Sequence, residues 1–237
     1  MAGSAASRRA FFDLHCHTSY SYDSMARPRD QVRAAALRGL THLAITDHDR
    51  IDGALEARDL APDGLTVIVG EEVKTADGDL ICLFLETPLA PGRPAAETIA
   101  EARAQGGLVG MPHPFDRHRN SLLREARLIS LVSSIDWVET WNARVIGRSG
   151  NEDAATFAHE HQVPGVAVSD AHSTMEVGVA YNSTDGDPST PAGLLAVLRG
   201  HELIPGRATY FARGLTPVAK ALNRVRGNFR IQPAGLP

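Results

Sequence analysis

The chain is short of several residue types, and each shortage excludes something. Its 237 residues include two cysteines, two tryptophans and four methionines, and only Lys74 and Lys220 are lysines. Cys16 and Cys82 each lie inside an apolar strand-like run, so they read as buried free thiols in a reducing compartment rather than a disulfide framework. No run approaches the ~18 apolar residues of a membrane span. The opening MAGSAASRRAFF lacks the apolar core of a secretory signal, and the expectation is a cytoplasmic protein with no membrane partner. Aromatic residues make up 5%, too few for the interleaved stacking platform of a single-strand nucleic-acid binder. There is no GxSxG elbow, HExxH helix, P-loop or GxGxxG after a strand. Ser19 and Ser21 have only their closeness to histidines to suggest a nucleophile, and Asn182-Ser183-Thr184 is taken as a chance glycosylation match.

What is present is ordinary globular material, 43% hydrophobic and 22% charged with a net charge of -4. The charge is uneven. From residue 203 onward there are six basic residues and no acidic one, against 18 basic and 28 acidic before that point. Such a run usually decorates a solvated amphipathic helix, expected here around 215–227, although it also suits a phosphate-rich partner.

Short apolar runs alternate with helix-like segments. AFFDLH, HLAITDH, LTVIVGEEV, DLICLFL, LVGMPHP, IDWVETWN and GVAVSDAH read as strands; RDQVRAAALRGL, IDGALEARDL, AAETIAEARAQGG and NEDAATFAHEHQ read as helices. Repeated strand and helix imply a parallel sheet, and this many units favour a closed barrel. Gly39 and Gly106 stand where left-handed helix ends are expected, and Pro28 and Pro94 where helices begin. Residues 1–10 are expected to be a flexible N-terminus and 11–237 one domain without an internal boundary.

The informative pattern is at the strand ends: Asp13, His15 and His17, then Asp47 and His48, Glu72, His113, Asn142, and finally Asp170 and His172. In a barrel these ends converge on one face. Strict alternation along FFDLHCH places Asp13, His15 and His17 on one side and Leu14 and Cys16 on the other. A lone histidine on an apolar strand is usually a satisfied core residue, but five at strand ends change the balance, because so many buried ionisable groups are costly unless they are paired or bind cations, and a metal cluster is the economical explanation. Imidazole with carboxylate suits zinc, manganese or iron. The remaining histidines, His42, His118, His159, His161 and His201, lack this placement.

The ordered set DLHCHT, TDHD, GEE, PHP and SDAH resembles the polymerase and histidinol phosphatase (PHP) superfamily over about residues 11 to 180. The resemblance implies an α/β fold, a distorted (β/α)7 TIM-like barrel with a trinuclear metal site at the C-terminal strand ends. It implies that His15, His17, Glu72 and Asp170 hold one ion and that Glu72 bridges to a second also bound by His113. Asp23 and His48 would hold a third with His172. Within GEE, Glu72 rather than Glu71 is the implied ligand. Where many members carry a histidine in a Gly-His-Leu stretch, this chain has Asp79, a departure that favours a harder ion or weakens the second site.

The implied chemistry is metal-dependent hydrolysis of a phosphate ester of a small phosphorylated metabolite or nucleotide, by attack of a metal-bound hydroxide with two or three divalent ions. Asp13 and Asp47 would orient ligands, and Asn142 would bond a ligand or substrate. Arg117 and Arg144 are the candidate phosphate-binding residues, since a planar guanidinium suits two oxygens. The rival readings are a nuclease on the ends of a short oligonucleotide, a C–N hydrolase, and a metal-stabilised structural module. No obligate protein partner is evident.

Overall fold

The computed structural model describes residues 9–116, 130–147 and 149–231. All seven expected strands form: β1 (Ala10–Asp13), β2 (His42–Ile45), β3 (Thr66–Lys74), β4 (Asp79–Leu83), β5 (Leu108–Met111), β6 (Trp137–Asn142) and β7 (Gly165–Val168). Two more follow, β8 (Tyr181–Thr184) and β9 (Glu202–Ile204). The four expected helices are α1 (Pro28–Leu37), α2 (Asp52–Asp59), α3 (Ala95–Ala104) and α4 (Ser149–Glu160), joined by α5 (Pro191–Val197) and α6 (Tyr210–Val225). Pro28 opens α1, and Gly39 (φ +78°) and Gly106 (φ +78°) end α1 and α3 in the left-handed region, as a residue without Cβ permits.

The sheet runs β7-β6-β5-β4-β3-β2-β1-β8-β9. It is not wholly parallel, contrary to expectation: β4 is antiparallel to both β3 and β5, and β8 is antiparallel to β1 and β9. The physical reason is the length of Thr75–Gly78, where Thr75 N–H donates to the Gly78 carbonyl at 2.9 Å. A parallel crossover needs a dozen or more residues, so this connection allows only a hairpin.

A near-closed barrel results because the chain beyond β1 pairs with the chain beyond β7. Cys16 bridges Ala171 in parallel, and His17 N–H donates to the Ala171 carbonyl at 2.8 Å. Lower in that seam Asn182 of β8 replaces strand pairing with its side chain. Its amide donates to the carbonyls of Ala167 (2.8 Å) and Phe12 (3.2 Å), and its oxygen accepts from Ala167 N–H (2.9 Å). Backbone groups that would otherwise be buried unpaired are thereby satisfied.

One apolar layer lies between the sheet and the helices, with Val32, Ala35, Ala54, Ala57, Ile99, Ala102 and Phe157 packed on Ile45, Val69, Leu80 and Val138. A second fills the other face of the sheet with Phe12, Leu14, Ile68, Ile81, Leu83, Trp137 and Val168, and α5 adds Leu194 and Val197. A Cβ on Gly110 would come within 2.0 Å of the Trp137 ring, so only glycine lets that ring pass. The expected alternation over residues 13–17 fails. β1 ends at Asp13, Phe12 and Leu14 share the inner layer, and Cys16 joins the helix-facing layer. The parity therefore shifts just where the chain leaves the strand.

Candidate metal centre

Above the inner apolar layer, the strand ends and the loops after them bring eight acidic and imidazole groups to one end of the barrel. His15 and His17 present their Nε2 atoms 2.9 Å apart. Each lies 3.3 Å from Glu72 Oε2, and Asp170 Oδ1 is 3.6 and 3.5 Å from them. Four donors bound at ~2.0 Å around one tetrahedral ion are about 3.3 Å from each other, so this group has the dimensions of a ligand set. A second group faces it: Asp23 Oδ2 lies 3.5 Å from His48 Nε2 and 3.4 Å from His172 Nε2. Glu72 stands between the groups, with Oε2 3.2 Å from His48 Nδ1 and Oε1 3.4 Å from His113 Nε2.

The rings are held from behind. His15 Nδ1 lies 2.6 Å from Glu139 Oε1, and Glu139 Oε2 accepts from the His113 N–H and the Asn142 amide, both at 2.9 Å. The Asn142 amide also donates to Asp170 Oδ2 at 3.0 Å. His17 Nδ1 lies 3.1 Å from Ser21 Oγ, and that hydroxyl donates to Asp47 Oδ1 at 2.6 Å. Asp47 also accepts the backbone N–H and hydroxyl of Thr18, each at 2.6 Å. His172 Nδ1 donates to the Asp170 carbonyl at 2.9 Å. In each case the outward nitrogen has a partner that takes its proton, so Nε2 is the nitrogen that turns to the centre and would give its lone pair to a cation.

The electrostatics are those of a site built for cations. Burial opposes charge on Glu72 and Asp23, yet His48, with His113 for Glu72 and His172 for Asp23, holds both carboxyls well below the ordinary range. Burial likewise opposes a charged His17, but Asp170 and Glu72 lift it to about 9. For His172 burial prevails and its pKa falls to about 3. Asp23 Oδ1 and His48 Nδ1 are buried without a hydrogen-bond partner. A buried, acceptor-rich cluster with orphaned lone-pair atoms fits divalent ions, and the nitrogen and carboxylate donors suit manganese, zinc or iron.

α6 roofs the site. The Asn223 amide donates to the carbonyls of Ser21 (3.3 Å), Tyr22 (3.1 Å) and Ser24 (2.9 Å), pinning the helix over the loop that carries Asp23. Lys220 reaches to 3.9 Å from Asp23 and lies over the Tyr22 ring. Beneath is a cavity of about 550 Å³, lined by ligand-type residues below and by Arg144, Arg213, Lys220 and Arg230 around the walls. The basic segment is therefore a wall of the site rather than a wholly solvated helix.

Comparison with known proteins agrees with this geometry. The model of the PHP domain matches residues 13–141, more than half of the chain, and that of a PHP-associated region matches 148–202. The chain belongs to the PHP family. MJ1587 of Methanocaldococcus jannaschii is 36% identical over 142 residues, covering 55% of this chain and 81% of its own length. Among solved structures, a two-domain Bacteroides vulgatus protein containing a predicted PHP-like metal-dependent phosphoesterase aligns with TM-score 0.65 at 17% identity, over 84% of this chain and 65% of that one. The lesion-specific endonuclease EndoQ of Pyrococcus furiosus aligns with TM-score 0.61 at 21% identity, over 83% and 58%. At these identities the structures share the fold.

Within this PHP fold His15, His17, Asp23, His48, Glu72, His113, Asp170 and His172 come together as expected. Glu71 points the other way and accepts the Leu89 N–H at 3.0 Å, with burial pushing its pKa up to about 8. Asp13 does not join them. It accepts the N–H groups of Ser169 (3.1 Å) and Gly178 (3.3 Å) at the barrel seam and, at 3.4 Å, that of the ligand-type residue His15, and burial raises its pKa to about 6. Asp47 and Asn142 stand behind ligands. Asp79 lines the cavity but is ion-paired to Arg230 at 2.9 Å. Arg144 also lines it, with its guanidinium held by Glu176 and by Thr216 Oγ1 at 2.7 Å. Arg117 and His118 lie outside the described residues. Sequence reading missed Glu139, Ser21, Glu176, Lys220, Asn223 and Arg230. Only Glu139 had a signal: it shares the inward parity of Trp137, two residues away, in a strand already taken to end in the site. No helix among the described residues is long and apolar enough to cross a membrane.

Proposed function

We propose that this PHP protein hydrolyses a phosphate ester of a small phosphorylated metabolite or nucleotide. The observation that carries the reading is the pairing of a convergent lone-pair floor with a basic wall across one cavity of about 550 Å³. Divalent ions bound to such a floor activate water and offset phosphoryl charge. The chain's own contribution is preorganisation. Glu139, Ser21 with Asp47, and the Asp170 carbonyl fix the His15, His17 and His172 rings before substrate arrives, so little rearrangement opposes the reaction. Arg144 offers a guanidinium already fixed by Glu176 and Thr216, and the half-exposed Lys220 offers a movable point charge. Both suit phosphate oxygens.

A nuclease acting at oligonucleotide ends is the second reading, supported by the basic tail and the fold shared with the Pyrococcus endonuclease. The roof of α6 favours a small molecule or a strand terminus over the interior of a polymer. The test is phosphate and product release by protein loaded with manganese, zinc or iron, across small monoesters, nucleotides and short oligonucleotides, with His15→Ala as control. Metal-dependent turnover that disappears in the variant supports the proposal, and the preferred substrate chooses between the readings. Turnover of none of them by folded, metal-loaded protein overturns both.

A further inference from the structure

The tail contributes one more residue, and it bears on how many ions the centre holds. Residues 203–231 lie beyond both stretches matched by family models. Within them Arg230 is 12% exposed and reaches under the edge of the roof. Its Nε donates to Asp49 Oδ2 at 2.7 Å and its Nη2 to Asp79 Oδ1 at 2.9 Å. Asp49 is fixed in turn, because its Oδ1 accepts the Lys74 N–H at 2.7 Å.

Asp79 is on the site's side of the sheet. It is opposite Lys74 in the β3–β4 ladder while Glu72 is opposite Ile81, and cross-strand partners two apart share a face. It is thus a carboxylate in ligand position whose charge a guanidinium already balances. A divalent ion on Asp79 would have to share that carboxylate with Arg230, setting two cationic groups against one another beside Asp49, whose wholly buried side chain depends on the same guanidinium. Without Asp79, and among the described residues, the donors that face each other at the second position are Glu72 Oε1 and His113 Nε2, 3.4 Å apart, with Asp116 also on the cavity lining. Sites that retain zinc-like ions usually offer at least three. The other two groups are better furnished: His15, His17, Glu72 and Asp170 form one, and Asp23, His48 and His172 the other.

We propose that the centre holds two divalent ions, and that the Arg230 guanidinium, clamped between Asp49 and Asp79, stands in place of a third. The inference rests on the metal-centre reading and not on any substrate. The test is the number of ions retained by the whole folded chain saturated with manganese, counted by native mass spectrometry with circular dichroism as the check on folding. The wild type should retain two, Arg230→Gln should gain a third, and Asp79→Asn should keep two. A wild type with three ions that falls to two in Asp79→Asn overturns the proposal, as does a folded Arg230→Gln that stays at two. If Arg230→Gln does not fold, the wild-type and Asp79→Asn counts decide. A wild type that binds no ion overturns the metal centre as well, whereas failure of phosphate release with two ions bound leaves the ion count standing and removes only the substrate reading.

Discussion

The floor and the roof of the cavity are built on different principles. The floor comes from strand ends spread between His15 and His172, each a short polar interruption after an apolar run, and barrel closure is what brings them together. The roof is one amphipathic helix and the residues after it, contiguous in sequence and held by a few side-chain bonds. The floor therefore depends on the global fold and the roof on local docking. Apart from Arg230, which is paired with Asp79, the wall makes no bond on which the ligand positions are argued to depend.

The largest expected effect breaks the floor. His15→Ala should lose one ion and reduce phosphate release to the control background, because it removes a donor shared by the tightest group, and metal analysis alongside turnover checks this. Next, Glu139→Gln should lower metal affinity about 10- to 100-fold while the ligands themselves remain, as expected for loss of the partner that sets ring tautomer and basicity. Competition with a chelator reads that loss. A Glu139→Gln protein with wild-type affinity would mean that His15 is oriented by packing alone.

The roof should respond more mildly. Asn223→Ala leaves the Ser21, Tyr22 and Ser24 carbonyls short of a donor and should weaken docking of α6 by roughly 1–3 kcal/mol, visible as faster proteolysis within the helix at unchanged metal content. Lys220→Ala is the smallest change. It should raise KM about tenfold or less, with the difference shrinking at high salt, because a half-exposed charge is screened. If Lys220→Ala instead releases metal, the floor and roof are not separable and the contrast fails.

The same division explains what could be read without the structure. The seven strands, four helices and seven of the eight convergent ligand-type residues follow from period and punctuation, as apolar runs of strand length that end in a histidine or acid, whereas Asp23 came only from the resemblance to the PHP family. The antiparallel β4 was legible in principle, since four residues between Lys74 and Asp79 cannot hold a crossover. The part played by Asp13 was not legible, because a parity shift after β1 leaves no mark in the residue pattern. Glu139 left one mark, the parity it shares with Trp137 in a strand taken to end in the site. Arg230 and Asn223 were beyond reach, since a basic amphipathic tail reads the same whether it faces water or a cavity.

The order of the chain gives the roof a temporal meaning. The last ligand-type residue, His172, precedes the first residue of α6, Tyr210, by a long stretch of sequence. The donor set is thus complete on the chain before the helix that covers it is made, so the part of the molecule that would hold a cation is translated ahead of the part that encloses it.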